Sequence, residues 1–204
     1  MINKDCVFCD LDKTRIYNTI LEETDNFIVI PTLGALVDVY VLIVAKKHLY
    51  NMNTLNKKQK KELFNLIKKY RSIFKNIYGK FPIIFEHGSI KEESYKSASS
   101  VVHAHIHIVN HNYVNEKDIL NQLNFKQTDD YNNLNKNYIF YISPNNLKYI
   151  TYNLKYITYN FEYISQIMRR LIAKDLGFAD KYNWRNEIFI KNVISTINNI
   201  KNYK

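Results

Sequence analysis

Three histidines stand at alternate positions in one short apolar run, Val101-Val102-His103-Ala104-His105-Ile106-His107-Ile108-Val109. That alternation constrains the backbone more than any other stretch of the chain. Successive side chains of a β-strand point to opposite faces, so residues two apart share a face. The run predicts a strand with His103, His105 and His107 in one row. Val102, Ala104, Ile106 and Ile108 then form the other face, toward a core. A single histidine is commonly a core residue with one satisfied hydrogen bond. A row of three, half of the chain's six, points to chemistry, because imidazole serves as nucleophile, acid, base or metal ligand near neutral pH.

With 204 residues, 46% of them hydrophobic, the chain has room for one domain, or for one domain plus an extension. No uncharged apolar run reaches the ~18 residues of a membrane span. The start, Met1-Ile2-Asn3-Lys4-Asp5, lacks the apolar centre of a signal peptide. These features lead us to expect an intracellular, cytoplasmic protein without a membrane partner. The net charge is +10, and much of it falls between Lys46 and Lys96. One reading is an anionic partner, either nucleotide phosphate or a nucleic-acid backbone. The other is a solvated lysine face in a chain generally rich in Lys and Asn. The 17 tyrosines follow the same bias and give no base-stacking surface by themselves.

Cys6 and Cys9 form a C-x-x-C pair. In a reducing compartment this spacing suggests a metal or a redox pair rather than a structural disulfide. There is no second C-x-x-C, so the sequence given holds no four-cysteine zinc site.

Apolar patterning predicts strands over Phe27–Ile30, stopped by Pro31, and over Val39–Val44, buried on both sides. Thr54 is the expected N-cap of a long helix. Its stripe is Leu63, Leu66, Ile67, Tyr70, Ile73, Phe74 and Ile77, and Gly79 suits the left-handed position at its end. Residues 82–86 read as a strand. Residues 87–100 read as a loop that delivers the chain to the histidine strand. The result is an α+β domain, residues 1–112, with a largely antiparallel sheet.

Residues 113–204 read as a mixed, helix-ending extension that packs on the first domain or on a dimer partner. Tyr138–Ile142 looks like a strand ending at Pro144. LKYITYN then occurs twice in tandem, at 147–153 and 154–160, which suits a lengthened hairpin or a helix. Ser165 is the expected cap of a helix through Asp175, ended by Gly177. A last helix is expected from about Trp184, with Ile190, Val193, Ile194 and Ile197 on one face.

His-x-His-x-His followed by two apolar residues is the signature of the histidine triad superfamily, which this chain resembles over about residues 5–112. A strand-loop-strand, a Lys-Lys-His segment, a long helix and a strand precede the triad in the family's order. The resemblance implies a fold with an antiparallel sheet and flanking helices, paired as a homodimer. It implies a nucleotide substrate, cleaved or exchanged at phosphorus through a nucleotide bound covalently to His105. The chemistry is consistent with that role. A neutral imidazole can attack phosphorus through one nitrogen when the other is held as a donor to a backbone carbonyl.

By the same resemblance His107 donates to a phosphate oxygen and His103 completes the catalytic triad. Ser99 and Ser100 bind phosphate, and Gly88 lets the loop approach the substrate. Some branches carry a structural zinc on an N-terminal C-x-x-C, a histidine after the second strand and the first triad histidine. The matching residues here are Cys6, Cys9, His48 and His103, a closed Cys2His2 set.

The chain departs from the family pattern in two places. Glu86-His87-Gly88 stands where small members carry an asparagine and a glycine-rich loop. The acidic residue that holds ribose after the first strand is not evident, since Thr32 stands near it and Asp38 is out of place. The segment from Ser165-Gln166 to Arg169-Arg170, with Trp184-Arg185, resembles a longer-chain subgroup but carries no assigned role.

Hydrolysis is the leading expectation, because transferase branches commonly hold glutamine at the third triad position. Three alternatives stay open. They are nucleotidyl transfer or deadenylation of adenylylated nucleic-acid ends, a nucleotide-binding module with little turnover, and a catalytic metal site on the three histidines. The Cys2His2 account uses one triad histidine and explains more residues than the last.

Overall fold

A computed structural model describes residues 6–90, 101–110, 115–128, 136–151 and 166–203. β1 (Glu22–Glu23), β2 (Phe27–Pro31) and β3 (Tyr40–Ala45) lead to helix α1 (Lys57–Tyr78), then to β4 (Ile83–Gly88) and β5 (His105–Val109). Next come α2 (Glu116–Gln122), β6 (Lys126–Gln127), β7 (Tyr138–Ile142), β8 (Lys148–Thr151), α3 (Ile167–Asp175) and α4 (Ile190–Tyr203). All eight strands join one sheet in the order β1-β2-β3-β5-β4-β7-β8-β6. Every pairing is antiparallel. The α+β class with an antiparallel sheet is therefore the architecture found. One sheet holds strands from both sides of the expected boundary, because β7 pairs directly with β4.

Residues of β2, β3, β4, β5 and β7 are buried throughout, so both faces of the central sheet are covered. Directly paired residues share a face. Val41 with Ile108, Ile43 with Ile106, and Ile84 with Ile108 build the apolar face. The stripe of α1 joins this core through Leu63, Leu66, Ile67, Tyr70, Ile73 and Phe74. Leu42 with His107, Val44 with His105, and Phe85 with His107 build the other face.

Several expected boundaries shift. α1 is capped by Asn56, not Thr54. The Asn56 side chain accepts from the Gln59 N–H, and the Gln59 side chain accepts from the Asn56 N–H, a reciprocal capping box. Thr54 closes a short 3-10 turn instead. Gly79 takes the left-handed conformation, φ +72°, and its N–H donates to the Lys75 carbonyl, as expected. His87 and Gly88 extend β4 rather than opening a loop. The histidine strand begins at His105, and His103 lies in the bend before it.

The first LKYITYN copy supplies β8, paired with β7 as a hairpin. The second copy and Ser165 lie outside the described residues. α3 begins after Gln166. Trp184 sits in a turn, and α4 starts at Ile190 with its buried face on Val193, Thr196, Ile197 and Ile200. Ile190 and Ile194 face outward. No helix among the described residues is long and apolar enough to cross a membrane.

Candidate active site and metal-ligand cluster

The row of histidines divides between two tasks at the start of β5. His103 turns toward the N-terminal cysteines. Its Nε2 donates to the Ala45 carbonyl at 2.7 Å, which leaves Nδ1 with its lone pair. That Nδ1 is 3.3 Å from Cys6 Sγ and 3.7 Å from Cys9 Sγ. His48, just after β3, places its own Nδ1 3.2 Å from Cys9 Sγ. A tight turn brings the two thiols together, with the Cys9 and Asp10 N–H groups both donating to the Cys6 carbonyl.

The ligand atoms of Cys6, Cys9, His48 and His103 all lie within 4.8 Å of one another. Ligands about 2.0–2.3 Å from a tetrahedral zinc stand roughly 3.3–3.8 Å apart, so the set fits a Cys2His2 zinc ion. The His103–Ala45 hydrogen bond is the outer support that a metal-binding histidine uses. Burial pushes the Cys6 thiol above its ordinary range. A dication at the centre would reverse that by stabilising thiolates.

His105 and His107 lie on β5 and line a cavity. Nδ1 of His105 lies 2.5 Å from the carbonyl of His103 and donates to it. Nε2 therefore keeps its lone pair. Burial pushes the ring down to about 4, so it is neutral near pH 7. Phe8 packs against it, with ring centroids 5.1 Å apart. His107 stacks on Phe85 at 4.4 Å and shares a 2.8 Å hydrogen bond with the Tyr40 hydroxyl through Nδ1. Burial and then the neighbouring charges of His105, His87 and Arg169 hold His107 well below the usual histidine range. Burial pushes the Tyr40 phenol up to about 12, so its O–H stays intact.

A cavity of about 290 Å³ lies over this face. His105, His107 and His87 supply its imidazoles, and Phe8, Ile30 and Leu42 its apolar wall. Thr32 also lines it. Asp38 instead accepts from the Tyr78 hydroxyl at 3.0 Å. Gly88 is not among the lining residues. The space its Cβ would fill holds the Tyr138 ring. Ser99 and Ser100 lie outside the described residues.

Sequence reasoning left three groups without a role here. His87, buried at 7% exposure, continues the alternation of β4 from Phe85 onto the triad face. The two-residue period could have found it. Gln166 and Trp184 line the cavity from the far side. Arg169 lines it too and is 3% exposed. Its Nη2 donates to the Gly34 carbonyl at 2.7 Å and its Nε to the Tyr182 carbonyl at 3.0 Å. The only local signal for Arg169 is a charge inside the apolar stripe of α3.

A family model described as "Scavenger mRNA decapping enzyme C-term binding" matches residues 5–122. No curated protein matches the chain. Among solved structures, a HIT-like protein from Bartonella henselae, described as involved in cell-cycle regulation, is 17% identical. The match covers 53% of this chain and 76% of that one at a TM-score of 0.42. A HIT family hydrolase from Clostridium thermocellum is 22% identical over 53% of this chain and 91% of that one, with a TM-score of 0.40. A zinc-bound histidine triad family protein from Mycobacterium smegmatis is 15% identical over 52% and 74% of the two chains, with a TM-score of 0.41. By the family model and the intact His103-x-His105-x-His107 motif in its place at β5, the chain belongs to the histidine triad family.

Proposed function

We propose that the chain is a nucleotidyl hydrolase. It cleaves at the α-phosphorus of a nucleotide derivative, such as a dinucleoside polyphosphate, a phosphoramidate or a mixed anhydride. The observation that carries this reading is the 2.5 Å hydrogen bond from His105 Nδ1 to the His103 carbonyl. It leaves a neutral Nε2 lone pair in a buried cavity beside a second neutral imidazole.

In the first step His105 Nε2 forms a bond to phosphorus and the bond to the leaving group breaks. The ring becomes cationic as it does so. The hydrogen bond from Nδ1 to the His103 carbonyl stabilises that charge. With Tyr40 donating to its Nδ1, His107 presents Nε2–H to a phosphoryl oxygen, where charge develops. In the second step water attacks phosphorus and the P–N bond breaks with its electron pair returning to Nε2, while the proton that water loses passes to solvent. This restores neutral His105 and releases a nucleoside monophosphate. Histidine rather than glutamine at position 107 supports hydrolysis over nucleotidyl transfer, by resemblance to the hydrolase branches of the family.

Cys6, Cys9, His48 and His103 would hold zinc in a structural role. A closed four-ligand set leaves no open position, so the ion would supply folding energy and tie the N-terminal segment to the catalytic strand.

The test is product analysis on diadenosine tetraphosphate, an adenosine phosphoramidate, a nucleotide sugar with a sugar phosphate acceptor, and 5′-adenylylated DNA. Wild type should release a nucleoside monophosphate, and His105→Asn should not. Equal turnover by the variant, or none of any substrate by wild type, would overturn the reading.

A further inference from the structure

Two buried polar atoms of cavity-lining residues have no hydrogen-bond partner among the described residues. They are Nη1 of Arg169 and Nε2 of His87. Both belong to residues beside His107. The His87 and His107 ring centroids are 6.0 Å apart, and the charge of Arg169 acts on both His107 and Tyr40. Buried polar groups are normally satisfied, and a buried charge left uncompensated is costly.

The remaining contacts of Arg169 sharpen the point. Nε and Nη2 donate to two neutral backbone carbonyls, and the guanidinium also interacts with the Tyr40 hydroxyl, itself neutral, so it is fixed without being neutralised. No carboxylate pairs with it among the described residues. His107, which feels its charge, and the other two imidazoles of the cavity, His87 and His105, are all kept from protonating by burial. A water molecule could fill the hydrogen bonds but not balance the charge. An anion does both.

We infer that Arg169 Nη1 and His87 Nε2 form an anion subsite beside His107 that holds a phosphate group of the substrate. Arg169 then makes the C-terminal region part of the active site rather than an appendage to it. A guanidinium suits this task because its fixed N–H groups match phosphate oxygens and keep their charge at every physiological pH. That the anion is a nucleotide phosphate rests on the hydrolase reading above. That the subsite takes an anion rests on Arg169 and His87 alone.

The test is calorimetric titration of the full chain with AMP and with adenosine. Arg169→Gln should weaken AMP binding by roughly 10- to 100-fold, the loss expected of a charged hydrogen bond, and leave adenosine binding within about twofold. His87→Phe should weaken AMP binding by a smaller factor. Equal losses for AMP and adenosine, or unchanged AMP binding in Arg169→Gln, would overturn the subsite.

If Arg169→Gln does not fold, arginine-labelled wild type reads the same point by nitrogen NMR. A guanidinium resonance that moves with AMP and not with adenosine, and that is absent in Arg169→Lys, supports the subsite. No such resonance overturns it. AMP binding that depends on Arg169 in a protein without turnover would sustain the subsite and sink the hydrolase reading. Turnover with kcat and KM unchanged in Arg169→Gln would do the reverse.

Discussion

The hydroxyl of Tyr40 on β3 lies 2.8 Å from Nδ1 of His107 on β5. The phenol keeps its proton, since burial has moved it up to about 12. Arg169 also interacts with that oxygen, which favours it as acceptor from the guanidinium and donor to the imidazole. The chain of donors leaves Nε2 of His107 as an N–H. Tyr40→Phe frees the ring to take either tautomer. We expect kcat to fall roughly 10- to 100-fold with KM within a few-fold, because a loosened catalytic group loses mainly transition-state stabilisation. Steady-state kinetics on the best substrate checks this. A rise in KM with kcat intact would mean that Tyr40 serves binding only.

The cysteine–histidine cluster predicts one zinc per chain in protein purified without chelator. Cys6→Ser should lose the metal and cost on the order of several kcal/mol, since metal binding to such a set is folding free energy. Elemental analysis with denaturant melts measures both. Chelation should also loosen His103, whose carbonyl holds His105 at 2.5 Å, so activity should fall along with stability. Metal-free protein with wild-type stability would remove the zinc from the account.

Much of this site was legible because its signals are local. The alternate histidines, the C-x-x-C and His48 are read one element at a time, and Cys6, Cys9, His48 and the first of the row, His103, bring four ligand atoms together. What escaped depends on partners far away in sequence. Arg169 donates to Gly34, 135 positions earlier, and no periodicity reports that pairing. His103 shares the strand's alternation yet leaves the strand, because the Ala45 carbonyl and the two thiols hold its ring. α4 starts late because Phe189 takes a left-handed conformation, φ +52°, which a bulky residue rarely adopts and no pattern announces. The Asn56 cap was there to be read. Asn56 has a glutamine three positions on, and Thr54 has a lysine.

Two buried groups should pull the acid stability in opposite directions. Burial lowers His87 to about 3. The unfolded chain takes up a proton below about pH 6.5 that the folded chain refuses, so this contribution is complete above 6.5 and is lost as the pH falls toward 3. Burial raises Glu86 to about 7, against hydrogen bonds from the Met52 N–H and the Tyr138 hydroxyl. Its contribution is present below about 4.5 and is lost as the pH rises through 7. Glu86→Gln removes only the second effect. Loss of stability from pH 7 to pH 5 should therefore steepen, by at most about 1.4 kcal/mol per pH unit. Urea melts across that range decide it, and parallel profiles for variant and wild type would refute the assignment.

Gly34 connects the triad domain to the far wall of the cavity. Its φ is +72°, and a Cβ there would lie 2.7 Å from Cβ of Trp184 and 2.9 Å from the Glu187 carbonyl. Its N–H donates to Ile188 and its carbonyl accepts from Arg169. Gly79 has the same φ with nothing within 4 Å of a Cβ, so it isolates the backbone cost. Gly79→Ala should lose about 1–2 kcal/mol, the price of a left-handed alanine. Gly34→Ala should lose about 1–3 kcal/mol more, because Trp184 and the 187–188 backbone must move. That movement shifts the wall that holds Arg169, so KM should rise in Gly34→Ala and stay unchanged in Gly79→Ala. Equal stability losses in the two variants would mean that the turn at Trp184 yields freely and does not fix the cavity wall.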